Sequence, residues 1–278
     1  MLQLNAPLKS LLAHRWPLVG VVHLAALPGT PFCNLSLSEI QDRAEADLEA
    51  LVLGGVEGVI VENFGDIPFR SEHVEPHIVA AMTRLVLHLL WVSERLRSKL
   101  SPALGVNVLR NDAIAAVAVA AMSGAHFVRV NVHSGAMVTD QWIVQGRAYD
   151  TLCYRRSLEA DVAIFADVLV KHASTIGEPD LLSVASDTFY RGGADVLIVS
   201  GHGTGLPTSR DDLERIRRGL DDAPVLIGSG LTVESLKEVM PWCNGAIVGT
   251  SLKVGGDVNS PVDRQRVIDL VETRNSML

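Results

Sequence analysis

The chain has 278 residues, enough for one large domain or two small ones, and its 48% hydrophobic against 20% charged residues can fill a sizeable core. A formal net charge of −8 argues against bulk-charge attraction to a nucleic acid polymer or an anionic membrane surface. The three cysteines, Cys33, Cys153 and Cys243, make neither a Cys-x-x-Cys pair nor a disulfide framework, which points to a reducing, cytoplasmic setting.

In chain order, the first 18 residues lack the apolar core of a secretory signal, and a short amphipathic contact with a membrane stays open for them. Strand-like runs then recur: "LVGVVHL" from Leu18, "VEGVIVEN" from Val56, "ALGVNVL" from Ala103, "HFVRVNV" from His126, "VAIFADVLVKHA" from Val162, "DVLIVSG" from Asp195, "PVLIGSG" from Pro224 and "GAIVGTS" from Gly245. Helix-like segments separate them. "SLSEIQDRAEADLEALVLGG" offers Ser38 as N-cap and Gly54–Gly55 as a stop. The segment from Glu75 carries the stripe Leu85, Leu89, Val92, Leu96 at helical spacing, which reads as core, with His88 as packing or surface. "NDAIAAVAVAAMSGA" begins at Asp112, ends at Gly124 and is too short to span a bilayer. "EPDLLSVASDTFYRGGA", "SRDDLERIRRGL", "TVESLKEVM" and "SPVDRQRVIDLVETR" complete the alternation.

Eight strand–helix units in about 250 residues predict a (β/α)8 TIM barrel of the phosphate-binding type. The expectation is a single domain over 1–278, with a short N-terminal extension over about 1–17. A doubly wound open sheet is the alternative. It would carry Gly-x-Gly-x-x-Gly after its first strand, where this chain has "AALPGTPF".

Buried parallel strands should be almost wholly apolar. Here polar residues gather at their C-terminal ends: His23; Glu62 and Asn63; Asn107, with Arg110 and Asn111 beyond; Arg129 and Asn131, with His133 after; Asp167, Lys171 and His172; Ser200, Gly201 and His202. In a barrel those ends form the active-site mouth. Burying an unpaired charge is costly, so these groups should pair or meet a ligand. Arg129 with Asp167 or Glu62 also reads as a structural ion pair, and His23 as a satisfied core histidine. The seventh and eighth strands end in Gly228-Ser229-Gly230 and Gly249-Thr250-Ser251. Close backbone approach, hydroxyl groups and following helix N-termini would make these two ends a phosphate cup.

The segments "VVHLAALPGTP", "GVEGVIVENFGDIPF", "LGVNVLRND", "FVRVNVHSGAMVTDQ", "ADVLVKHA", "GGADVLIVSGHGTG", "VLIGSG" and "AIVGTSLKVGG" together resemble the BtpA family, which includes the SgcQ-type proteins, over about residues 18–267. The resemblance implies a phosphate-binding (β/α)8 barrel. One cyanobacterial branch is described as a thylakoid-associated factor of photosystem I biogenesis, implying peripheral membrane association. The SgcQ branch sits among sugar-phosphate genes and is labelled a nucleosidase. Residue by residue, it singles out Glu62, Asn63 and Asp66 of "ENFGDIPF", Asp167, Lys171 and His172 of "ADVLVKHA", and Asp140–Gln141 of the fourth loop. The loop departs from the family pattern after Gln141, where "WIVQGRA" replaces an expected glycine.

The resulting expectation is an enzyme acting on a phosphorylated sugar or nucleoside-type molecule by nucleosidase, lyase or hydrolase chemistry. A noncatalytic biogenesis factor and a phosphometabolite-binding regulator are the alternatives. In the enzyme reading Glu62 or Asp167 is the general acid or base. Lys171 neutralises developing charge or forms a Schiff base. His23 and Asn107 orient the substrate, and Arg129, Asn131, His172, Ser200 and His202 contact it. A divalent metal on His23, Glu62 and Asp167 is open, though no ligand spacing requires one. A homo-oligomer is compatible with this reading; an integral membrane segment is not expected.

Overall fold

The computed structural model describes residues 6–96, 101–169, 173–177, 179–201 and 208–278. Its strands, in chain order, are β1 (Leu18–His23), β2 (Gly58–Glu62), β3 (Ala103–Asn107), β4 (Phe127–Val130), β5 (Ala136–Thr139), β6 (Trp142–Gln145), β7 (Ala163–Asp167), β8 (Ser174–Thr175), β9 (Val196–Val199), β10 (Val225–Ile227) and β11 (Gly245–Val248). Its α-helices are α1 (Ala6–Ala13), α2 (Leu37–Gly54), α3 (Pro76–Leu96), α4 (Ala113–Ser123), α5 (Ala148–Ser157), α6 (Leu181–Ser186), α7 (Arg210–Gly219), α8 (Leu236–Val239) and α9 (Arg264–Ser276). Strands β1, β2, β3, β4, β7, β9, β10 and β11 pair in parallel in that order and close on β1, forming the barrel that the alternation predicts.

Period-two alternation sorts each strand into two faces. Val19, Val21, Ile60, Phe127, Phe165, Ile198 and Ile247 point inward and pack as one cluster. Leu18, Val22, Val59, Val61, Leu104 and Val106 point outward into the larger core beneath the helices. The Phe127 and Phe165 rings, from the neighbouring strands β4 and β7, stack at 4.3 Å inside the barrel. Gly105 makes room for them, since a Cβ there would lie 2.3 Å from the Phe127 ring. Leu8 and Leu11 of α1 join the inner cluster, so the helix spends its apolar face on closing the barrel bottom.

The α2 N-cap is Ser36, two residues earlier than expected. Its side chain accepts the Glu39 N–H and Glu39 reaches back to the Ser36 N–H, completing a capping box. Helix α4 begins after Asp112 and stops at Gly124, as the sequence indicates. Helix α3 is long and apolar enough to cross a membrane by length and composition. Leu85, Leu89 and Val92 are instead buried in the core, and His88 Nε2 lies 2.6 Å from Glu45 Oε2 of α2.

Two departures matter for the site. The fifth predicted strand ends at Asp167, and residues 168–169 bend away from it. Lys171, His172 and His202 lie outside the described residues. After β4, the segment expected as loop forms the antiparallel pair β5–β6, and β8 adds to β5, zipping the connections after β4 and β7 into a small second sheet. The signal was present: "AMVT" and "WIVQ" are apolar-polar runs separated by the two residues Asp140–Gln141.

Candidate functional site

The inward phase that carries valine and isoleucine at the barrel bottom carries polar residues at the top. His23, Glu62, Asn107, Arg129, Asn131, Asp167, Ser200, Gly228 and Gly249 all fall in that phase. Register sets His23 beside Glu62 and Glu62 beside Asn107. The mouth holds a cavity of about 490 Å³ lined by His23, Glu62, Asn107, Arg110, Arg129 and Asn131 on one side, and by 228–232 and 249–251 on the other. Phe64, Ile67, Phe69 and Leu109 form an apolar wall, and Arg266 reaches in from α9.

Arg129 organises the ionised groups. Its Nε and one terminal nitrogen donate to Asp167 Oδ2 and Oδ1 at 2.9 and 3.0 Å, while the other terminal nitrogen lies 3.5 Å from Glu62 Oε1. Burial alone would pull the guanidinium pKa down. The charge and hydrogen bonds of Asp167, then the charge of Glu62, more than offset that and hold it above its ordinary value. Asp167 also accepts from Asn131 Nδ2 at 3.1 Å and Ser200 Oγ at 2.9 Å. Four donors on two oxygens match the acceptor capacity of a carboxylate.

Glu62 is placed differently. Its Oε1 accepts from Asn107 Nδ2 at 3.0 Å, and its Oε2 lies 3.9 Å from His23 Nε2. His23 also packs against the Phe64 ring at 4.7 Å. Arg110, buried against the same cavity, has its pKa lowered by burial, partly opposed by the charges of Asp140 and Asp167.

The two glycine-hydroxyl ends follow the neighbouring strands β10 and β11 and lie side by side on the same cavity. Gly230 sits at φ +71°. A Cβ at Gly228 would fall 2.2 Å from Ser200 Oγ, and one at Gly249 would fall 2.9 Å from His23 Cε1. Backbone here thus approaches the polar side chains as closely as glycine allows. Among the described residues, the backbone N–H groups of Gly230, Leu231, Thr250 and Ser251 donate no hydrogen bond to protein. Two of the three hydroxyls are already engaged: Ser251 Oγ donates to Leu231 O at 2.7 Å and Ser229 Oγ accepts from Gly201 N at 3.1 Å. The helix N-termini expected behind the cup are short. The first helical elements after the two strands are the one-turn α8 and a three-residue 3-10 turn, Thr250–Leu252.

Asn63 and Asp66 are structural ties. Asn63 accepts from Leu109 N at 2.7 Å and donates to Asp66, which accepts from Leu27 N at 2.7 Å. Burial raises the Asp66 pKa, opposed by these hydrogen bonds. Asn111 makes a reciprocal pair with the Val132 backbone, and Asp140 lies exposed at the β5–β6 turn. Among the described residues no three His, Cys, Asp or Glu side chains converge as a metal site, and His23, Glu62 and Asp167 do not. Arg266 and the Phe64–Phe69 wall were missed by sequence reasoning, because nothing local marks residues brought to a mouth by loop path and by the last helix.

Fold and mouth together define a (β/α)8 barrel with a buried, ionised pocket at its C-terminal face. The chain belongs to the BtpA family, which it matches over residues 14–276. It is 44% identical over 256 residues to Photosystem I biogenesis protein BtpA of Synechocystis sp., covering 92% of this chain and 87% of that protein. It is 40% identical over 258 residues to an uncharacterized protein of Thermococcus kodakarensis, covering 93% and 95%. Among solved structures, thiamine phosphate pyrophosphorylase from Pyrococcus furiosus is similar with a TM-score of 0.58 at 13% identity, over 95% of this chain and 98% of that one. A likeness at that identity speaks for the fold alone.

Proposed function

We propose that the protein is an enzyme acting on a phosphorylated small molecule of sugar or nucleoside type, bound in the barrel mouth. One observation carries this reading: a single cavity of about 490 Å³ has undonated backbone N–H groups and Arg266 on one wall and the Glu62–Arg129–His23 group on the other. The N–H groups of Gly230, Leu231, Thr250 and Ser251 and the Arg266 guanidinium would hold the phosphate. Oε1 of Glu62 is held by Asn107 and Arg129, so proton transfer is assigned to Oε2 on the His23 side. Asp167, with four donors on its oxygens, holds Arg129 in place rather than reacting.

The test is a thermal-shift screen with inorganic phosphate, sugar phosphates and nucleotides. A ligand at about 100 times its Kd should stabilise by about 2.7 kcal/mol, a rise in Tm of about 4–5 °C for a chain this long. Thr250→Asp, which adds a negative charge at the cup, should weaken that ligand at least tenfold while the protein alone melts unchanged. Once a reaction is found, Glu62→Gln should bind but not turn over. An active Glu62→Gln variant removes Glu62 from the chemistry. The printed name of the Synechocystis relative supports a second reading, a noncatalytic assembly factor. A screen in which no phosphorylated compound stabilises the protein favours that reading over the enzyme.

A further inference from the structure

We propose that Asn131 reads an N–H or O–H donor on the far end of the ligand, and that this end is a compact, weakly polar ring seated in a second cavity beneath the β5–β8 pairing. The inference rests on the phosphate reading above and goes on to say what the phosphate is attached to.

Asn131 is 4% exposed, and its Nδ2 donates to Asp167 Oδ2 at 3.1 Å. A carboxylate only accepts, so the amide cannot turn over without setting oxygen against oxygen. That bond therefore fixes which way Oδ1 points. Oδ1 is fully buried and has no hydrogen-bond partner. The same residue lines the mouth cavity and a second cavity of about 260 Å³, so both spaces reach it.

The second cavity is lined mainly by apolar groups, among them Val132, Met137, Leu169, Ile176 and Val184. Among the described residues, its one lining side chain of acidic or basic type, Asp167, is matched by Arg129. A mainly apolar chamber that meets an unpartnered acceptor at Asn131 suits a ring that carries a donor at its edge. Buried acceptors are normally satisfied, and a ligand donor would satisfy this one.

Titration calorimetry with inorganic phosphate, ribose 5-phosphate, uridine 5′-monophosphate and adenosine 5′-monophosphate separates the claims. At least one nucleotide should bind about tenfold more tightly than ribose 5-phosphate, the scale of one well-made hydrogen bond plus ring burial. Asn131→Ala should erase that tenfold gain and leave ribose 5-phosphate binding as it was. Ala136→Leu, which fills the second cavity from β5, should do the same without touching the amide. Ser200→Ala removes a different donor to Asp167 and should keep the gain. Equal affinity of the nucleotides and ribose 5-phosphate for the wild-type protein overturns the inference while phosphate binding survives. So does an unchanged gain in Asn131→Ala or Ala136→Leu, or an equal loss in Ser200→Ala, which would trace the effect to Asp167. If neither inorganic phosphate nor any phosphorylated compound binds, the phosphate reading itself falls, and this inference with it.

Discussion

Asp167→Asn tests the view that Asp167 is the clamp of the mouth. The substitution keeps size and shape but removes the charge and turns one of two acceptor oxygens into a donor. In the native barrel each oxygen receives two donors, Oδ2 from Arg129 Nε and Asn131 and Oδ1 from Arg129 and Ser200. Either orientation of the new amide sets its NH2 against two of them. Among the described residues, Arg129, with a side chain 3% exposed, then keeps Glu62 at 3.5 Å as its counter-charge. Removing one partner of a buried pair costs about 3–5 kcal/mol. At about 2.1 cal/mol/K of unfolding entropy per residue, that lowers Tm of the 278-residue chain by about 5–9 °C. Scanning calorimetry at neutral pH reads it directly. The double variant with Arg129→Met should recover part of the loss, because the orphaned charge is then gone. A Tm within 1 °C of wild type for Asp167→Asn would refute the clamp.

Three further outcomes follow from the same packing. Burial lowers the pKa of His126 and His133, so below about pH 6.5 the unfolded chain takes up protons at these positions more readily than the fold does. Their contribution is present above that pH and lost as pH falls through the lowered folded values. Tm should therefore drop between about pH 7 and pH 5.5, and His126→Asn, whose Oδ1 can still accept the Leu104 N–H, should flatten part of that slope. Gly249→Ala puts a methyl 2.9 Å from His23 Cε1, so it should cost about 1–3 kcal/mol in melting experiments and weaken any ligand of the mouth. Leu11→Ala opens the barrel floor, where Leu11 is 1% exposed, and should cost about 2–5 kcal/mol in urea titration without changing ligand affinity.

What the sequence determined by itself is local and periodic. Alternation with period two put His23, Glu62, Asn107, Arg129, Asp167 and Ser200 in one phase, and eight repeats of strand and helix carried that phase to one end of a barrel. The Gly-hydroxyl ends at 228–230 and 249–251 were legible for the same reason, since a strand's end is a local event. Pairings between distant strands depend on closure and register, which no local pattern states. Only the closed barrel sets Arg129 between Asp167, 38 residues away, and Glu62, 67 residues away, saturating the first carboxylate and turning the second toward the cavity. The hydroxyls of Ser229 and Ser251 look like ligand donors in sequence and are engaged by Gly201 and Leu231 in the fold. The β5–β8 pairing over the second cavity joins two loops 36 residues apart, and so belongs to tertiary structure alone.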